Sequence, residues 1–226
     1  MPHPMMSRLL RAIAVLLLLM STSANAQIVA GRDYVALKAA QPTQDPAKVE
    51  VIEFFWYGCP HCSALQPSFA TWLKRKPADV AFRRQPAAFD ESWLQLGRTY
   101  YTMESLGVAD RLHHAVFEAI HSKHALDPRG LLRDTKPLFD WMASQGVDKQ
   151  KFSDTYNSFS VSSRTQGTIA LTERYDITGT PAIVVDGKYL TAPSMILKAD
   201  KSVDYDRFYR VLDQVIAMAR KDHGKK

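Results

Sequence analysis

The chain has little cysteine: two residues in 226, at positions 59 and 62. Two thiols and the imidazole beside them, His61, are an incomplete donor set for a closed metal site, which takes about four ligands. Internal repeats and low-complexity linkers are missing as well. The chain beyond residue 26 is long enough for one large domain or two small ones with an ample core. The N-terminal apolar run, Ala12 to Met20, falls short of the roughly 20 residues that a spanning helix needs. Acidic residues are absent from residues 1–26. Arg8 and Arg11 precede the apolar run, and Ala24-Asn25-Ala26 follows it as a small-x-small site. This stretch therefore reads as an export signal, with the mature chain starting at Gln27. Export places the protein where disulfides persist. A strong charge excess is lacking too. The formal net charge is +6; Arg8 and Arg11 leave with the signal, and Lys221, Lys225 and Lys226 sit in the tail. That pattern is a solvated terminus and excludes no more than it suggests: no nucleic-acid site is expected.

What the sequence does have is one dense stretch, Glu53-Phe-Phe-Trp-Tyr-Gly-Cys59-Pro60-His61-Cys62. A β-favouring apolar run, Val49 to Tyr57, leads into it and reads as a central strand covered on both faces. Ser63, Ala64, Leu65, Phe69, Trp72 and Leu73 follow at helical spacing. Pro67 should kink that helix. A Cys-x-x-Cys pair at a strand-to-helix turn reads as a dithiol–disulfide couple. On the first helical turn the two thiols share a face and can bridge without distorting the backbone. Free N–H groups and the positive helix end stabilise a Cys59 thiolate. Pro60 sits where its missing N–H costs nothing, and a protonated or donating His61 would lower the thiol pKa further. A stable thiolate favours the reduced form and makes the disulfide a strong oxidant.

A second motif lies far along the chain: Gly179-Thr180-Pro181-Ala182, then Ile183-Val-Val-Asp-Gly-Lys-Tyr189. Asp186-Gly187 between two β-favouring runs predicts a hairpin with a type I′ turn. Together the two motifs resemble the DsbA family of bacterial thiol:disulfide oxidoreductases, and the second resembles the cis-proline loop of thioredoxin-like proteins. The resemblance implies an α/β thioredoxin-like fold, a central mixed sheet flanked by helices, with an inserted helical domain. It implies a periplasmic oxidase that donates a Cys59–Cys62 disulfide to unfolded exported proteins through a mixed disulfide at Cys59. That disulfide is then the redox group and no soluble cofactor is needed. It further implies a monomer, reoxidised by a quinone-linked membrane partner of the DsbB type. Glu53 matches the family's buried acid, six positions before the first cysteine, and a buried carboxyl has a raised pKa and can move protons. Arg84, on the predicted strand Val80 to Gln85, stands where the family often has lysine; it is either a surface arginine or a partner that would hold Glu53 ionised more firmly. Pro181 is expected in the cis form beside the disulfide, with Thr180 backbone groups free to pair with an extended substrate. Thr180 is also a departure: familiar oxidases carry valine there and related isomerases threonine. A reductase or isomerase of the same fold therefore stays open, as does a Cys/His metal-binding protein.

From Phe89 to Arg164 the pattern turns helical, with Trp93, Leu96, Tyr100, Met103, Leu112, Val116 and Ile120 at core spacing. The expected division is 27–88 and 165–226 for the thioredoxin-like part, with 89–164 inserted. His113, His114, His121 and His124 read as residues of a solvated helix surface. Tyr34 to Leu37 reads as a short strand, Ser162 to Tyr175 as one long helix, and Tyr205 to Ala219 as a final amphipathic helix.

Overall fold

The computed structural model describes residues 27–223. The expected export signal of residues 1–26 lies outside the described residues, as do the last three tail residues. Among the described residues no helix is long and apolar enough to cross a membrane.

One five-stranded sheet carries the chain, in the order β1-β5-β4-β2-β3. The strands are β1 (Val35–Ala36), β2 (Val49–Phe55), β3 (Val80–Pro86), β4 (Ala182–Val185) and β5 (Tyr189–Thr191). β2 pairs parallel with β3 and antiparallel with β4, so the sheet is mixed. Every residue of β2 is buried. That is why its apolar residues do not alternate with solvent-facing polar ones; the run is broken only by Glu50 and Glu53, both buried. The β4–β5 turn has Asp186 at φ 55° and Gly187 at φ 61°, the left-handed pair a type I′ turn requires. Gly187 is needed on a second count, because a Cβ there would stand 2.1 Å from the Gln41 carbonyl oxygen.

Helix α1 (Pro60–Arg75) follows β2. Between β3 and β4 lie α2 (Glu91–Ser105), α3 (Ala109–His121), α4 (Pro128–Leu131), α5 (Lys136–Ser144), α6 (Lys149–Tyr156), α7 (Phe159–Gln166) and α8 (Thr168–Arg174). Helix α9 (Tyr205–His223) closes the described chain. The expected single helix from Ser162 is two, broken at Gly167. Thr165, Thr168 and Thr172 each turn a hydroxyl back to a carbonyl four residues earlier, a habit that bends helices, and glycine has the least to lose at the break.

Three cores flank the sheet, one of them built on Ile52, Phe54, Tyr175 and Val184, and the other two meet at one seam. Leu65, Phe69, Trp72, Ile183, Phe208 and Leu212 fill one side of the sheet. Leu112, Val116, Phe117, Met142 and Phe152 fill the helical region, and the same cluster takes in Phe55, Tyr57, Cys59 and Cys62. The end of β2 and both cysteines therefore sit where the helical region is packed onto the sheet.

Candidate active site

Cys59 is the N-cap of α1, at φ −86° and ψ 116°. Extended backbone at the cap turns its side chain back toward the open N–H groups of the first turn. Its Sγ accepts from the Cys62 backbone N–H at 3.4 Å. In the thiol form it also donates to the Thr180 carbonyl oxygen at 3.3 Å. Pro60 fills the first helical position and no acidic residue occupies the first turn. The Thr180–Pro181 bond is cis. The structure thus gathers Cys59, Pro60, His61, Cys62, Thr180 and Pro181 at one helix end.

The two sulfurs are unlike. Cys59 is 8% exposed and Cys62 is fully buried. The hydrogen bond from the Cys62 side chain pulls the Cys59 pKa down most. The Thr180 side chain and the backbone N–H groups of Cys62 and His61 add to it against partial burial, and the value falls to about 5. Burial drives Cys62 the other way, well above an ordinary thiol, and its bond to Cys59 pushes it further. What reaches the sulfur from residue 61 is its backbone N–H; the His61 side chain is exposed.

Glu53 lies beneath, fully buried on β2 and in register with Arg84 of β3. Arg84 Nε stands 3.3 Å from Glu53 Oε2, and Arg84 Nη1 reaches the exposed Asp110 at 3.1 Å. Gln66 Nε2 donates to Glu53 Oε1 at 2.9 Å and to the Cys62 carbonyl at 3.3 Å. Burial outweighs Arg84 and Gln66, so the carboxyl pKa is raised rather than held low as the arginine alone suggested. The Arg84 contact is an ion pair without hydrogen-bond geometry, since both facing atoms lack a hydrogen-bond partner. Gln66 was not singled out from the sequence. Its signal was there: it falls one turn after Cys62, on the apolar face that carries Leu65 and Phe69.

Two of the four histidines are not surface residues. His113 is 2% exposed and its Nδ1 lies 3.0 Å from the Tyr57 hydroxyl. His121 is half-buried, with Nε2 2.8 Å from the Tyr57 carbonyl oxygen. His114 and His124 are exposed as expected. The face of α3 that carries His113 and His121 is turned to the end of β2, which overrides the polar reading of those positions. Among the described residues no three His, Cys, Asp or Glu side chains converge.

Known proteins resemble this chain. The model of the DSBA-like thioredoxin domain matches residues 50–204. The thiol:disulfide interchange protein DsbA of Pseudomonas aeruginosa is 44% identical over 160 residues, 71% of this chain and 74% of that protein. That of Bordetella parapertussis is 39% identical over 215 residues, 95% of this chain and 97% of that protein. Among solved structures, the crystal structure of Pseudomonas aeruginosa DsbA superposes with a TM-score of 0.76 at 38% identity, over 88% of this chain and 97% of the other.

Proposed function

This chain belongs to the family of DsbA-like thioredoxin domains, the thiol:disulfide interchange proteins, and on that footing we propose that it oxidises pairs of thiols in unfolded exported proteins of the periplasm. What supports the proposal is the opposition between the two sulfurs, Cys59 capping a helix with its pKa lowered and Cys62 fully buried with its pKa raised. In the oxidised protein a substrate thiolate attacks Cys59 Sγ. The Cys59–Cys62 bond breaks, a substrate–Cys59 disulfide forms, and Cys62 leaves as a thiolate. Burial makes that thiolate costly, so it takes up a proton. Glu53, whose raised pKa suits it to hold one, is joined to the Cys62 backbone through Gln66. A second substrate thiolate then attacks the substrate sulfur of the mixed disulfide. Cys59 departs and stays ionised, which is why it leaves readily. Two electrons pass from the substrate thiols to the protein. A quinone-linked membrane partner of the DsbB type takes them on.

An unfolded substrate offers no fixed shape, but every extended chain offers the same backbone groups. Thr180, beside the Cys59 sulfur, supplies the backbone with which it would pair. The reading is tested by limiting alkylation of the reduced protein at low pH together with a glutathione redox titration. Label on Cys59 and a couple more oxidising than glutathione are expected. Label on Cys62 would overturn the assignment of roles, and a strongly reducing couple would make the protein a reductase of the same fold.

A further inference from the structure

Cys59 does not stand on a free loop. Its backbone N–H donates to the Trp56 carbonyl oxygen at 3.0 Å, so residues 56 to 59 form a hydrogen-bonded β-turn with Tyr57 and Gly58 at its centre. The central peptide of such a turn, here Tyr57–Gly58, is its soft element. Type I and type II turns differ by a flip of that peptide, and glycine at the third position removes the steric barrier to the flipped form. Gly58 is not in the left-handed region that the flipped turn needs. A contact from outside the turn can therefore decide between two cheap arrangements.

The structure shows what touches that peptide. His121 Nε2 stands 2.8 Å from the Tyr57 carbonyl oxygen, the oxygen of the central peptide itself. A carbonyl can only accept, so His121 must donate. Eight residues earlier on α3, His113 Nδ1 meets the Tyr57 hydroxyl at 3.0 Å. Between them Phe117 packs on the Tyr57 ring at 5.0 Å and is stacked with His121 at 6.2 Å. Positions 113, 117 and 121 lie two turns apart in all and share one helix face. They hold Tyr57 by its hydroxyl, its ring and its carbonyl.

We propose that His121 is a positioning residue for the nucleophile: it selects the orientation of the Tyr57–Gly58 peptide, and through that turn sets the direction of the Cys59 sulfur toward the N–H groups of α1, with His113 and Phe117 holding the Tyr57 ring in place. This rests on the reading of Cys59 as the nucleophile. The helical region then does more than cover the sheet. One of its helices holds Tyr57, two residues before the reactive sulfur. Without that anchor the turn that carries the cap residue is free to shift, and the Cys62 N–H at 3.4 Å is the bond that a small rotation of Cys59 would lose. A hydrogen bond to a charged sulfur is among the stronger kinds, so losing one shifts the thiolate equilibrium by about tenfold or more.

The test uses the exported chain, its His121→Leu and His121→Gln variants, and two readouts. Ultraviolet thiolate absorbance against pH gives the Cys59 midpoint, and exchange with glutathione gives the redox equilibrium. His121→Leu should raise the midpoint by about one pH unit, tenfold in the ionisation constant, and make the disulfide a correspondingly weaker oxidant. His121→Gln keeps an amide donor and should return the midpoint to within a few tenths. A folded His121→Leu protein with an unmoved midpoint overturns the inference, whatever its melting temperature. Nitrogen-15 NMR of the parent protein decides the matter without any variant, should His121→Leu not fold. Nε2 carrying the proton is expected; a bare Nε2 cannot donate and would overturn it. A parent midpoint near that of an ordinary thiol would instead refute the role given to Cys59 itself.

Discussion

The difference in folding stability between the reduced and the oxidised protein should grow with pH between about 5 and 9. The Cys59 thiol falls from an ordinary value of 9.0 in the unfolded chain to about 5 in the folded one. A depressed acid pKa adds stability that is complete above the unfolded value and is lost as pH falls through the folded one. At pH 5 almost none of it is present; at pH 7 half of the interval has been gained. Each pH unit is worth about 1.36 kcal/mol, so two units come to about 2.7 kcal/mol. The sulfur is at the site's rim, where water screens part of the interaction, and a realised gain of about 1 to 3 kcal/mol is expected. Only the reduced protein has this thiolate, so only its stability carries the gain. Burial keeps the Cys62 thiol above this range in the folded state. His113, the carboxylates and the surface charges occur in both redox forms and cancel to first order in the difference. The assay is urea unfolding of both forms at pH 5 and pH 7, with the stability of each extrapolated to water. The reduced form should gain on the oxidised form by the stated amount and be the more stable at pH 7. A difference that stays flat across this range would refute the reasoning, because it would show that no thiol in the folded protein ionises there.

Three further outcomes are expected. Burial holds His113 well below its ordinary pKa, so unfolding must take up a proton below about pH 6.5, and stability should fall toward acid by up to about 1.36 kcal/mol per unit. Thermal unfolding of the oxidised protein from pH 7.5 to 5 measures this, and a slope unchanged in His113→Phe would assign the loss to other groups. Gln66→Leu leaves Glu53 Oε1 without its donor and should cost about 1 to 3 kcal/mol, with the Glu53 pKa rising further; denaturant unfolding and carbon-13 NMR of the carboxyl group check the two effects. A Cβ on residue 58 would stand 2.3 Å from the Trp56 ring, which is stacked on Trp93 at 4.1 Å. Gly58→Ala should therefore break that stack, with a changed tryptophan emission spectrum and a loss of about 1 to 3 kcal/mol; unaltered emission would count against it.

The features legible in the sequence were the ones that local chemistry decides. β2 reads as a strand because all its residues are buried, and the cysteines read as a helix-end pair because Pro60 marks the first turn. Asp186-Gly187 reads as a turn because few residues accept its backbone. What stayed hidden depends on which faces meet. His113 and His121 look no different in the sequence from the exposed His114 and His124. Their spacing with Phe117 was the available sign, and only the docking of α3 against the end of β2 gives it meaning. Gln66 was concealed in the same way, as a polar residue whose partners come from a strand and from its own helix. The raised Glu53 pKa could not be read from Arg84, because it depends on how completely water is removed and how well the guanidinium is aimed.

An open sheet edge offers unpaired N–H and C=O groups to which an extended chain can add itself. Here one edge is β1, a strand of only two residues, too short to template a partner. The other is β3, where Arg83 and Arg84 are tied to Glu50 and Glu53 and Pro86 ends the row without an N–H to offer. Charge, brevity and proline are the usual guards against edge-to-edge aggregation. The sheet thus offers an added strand little to pair with at either margin.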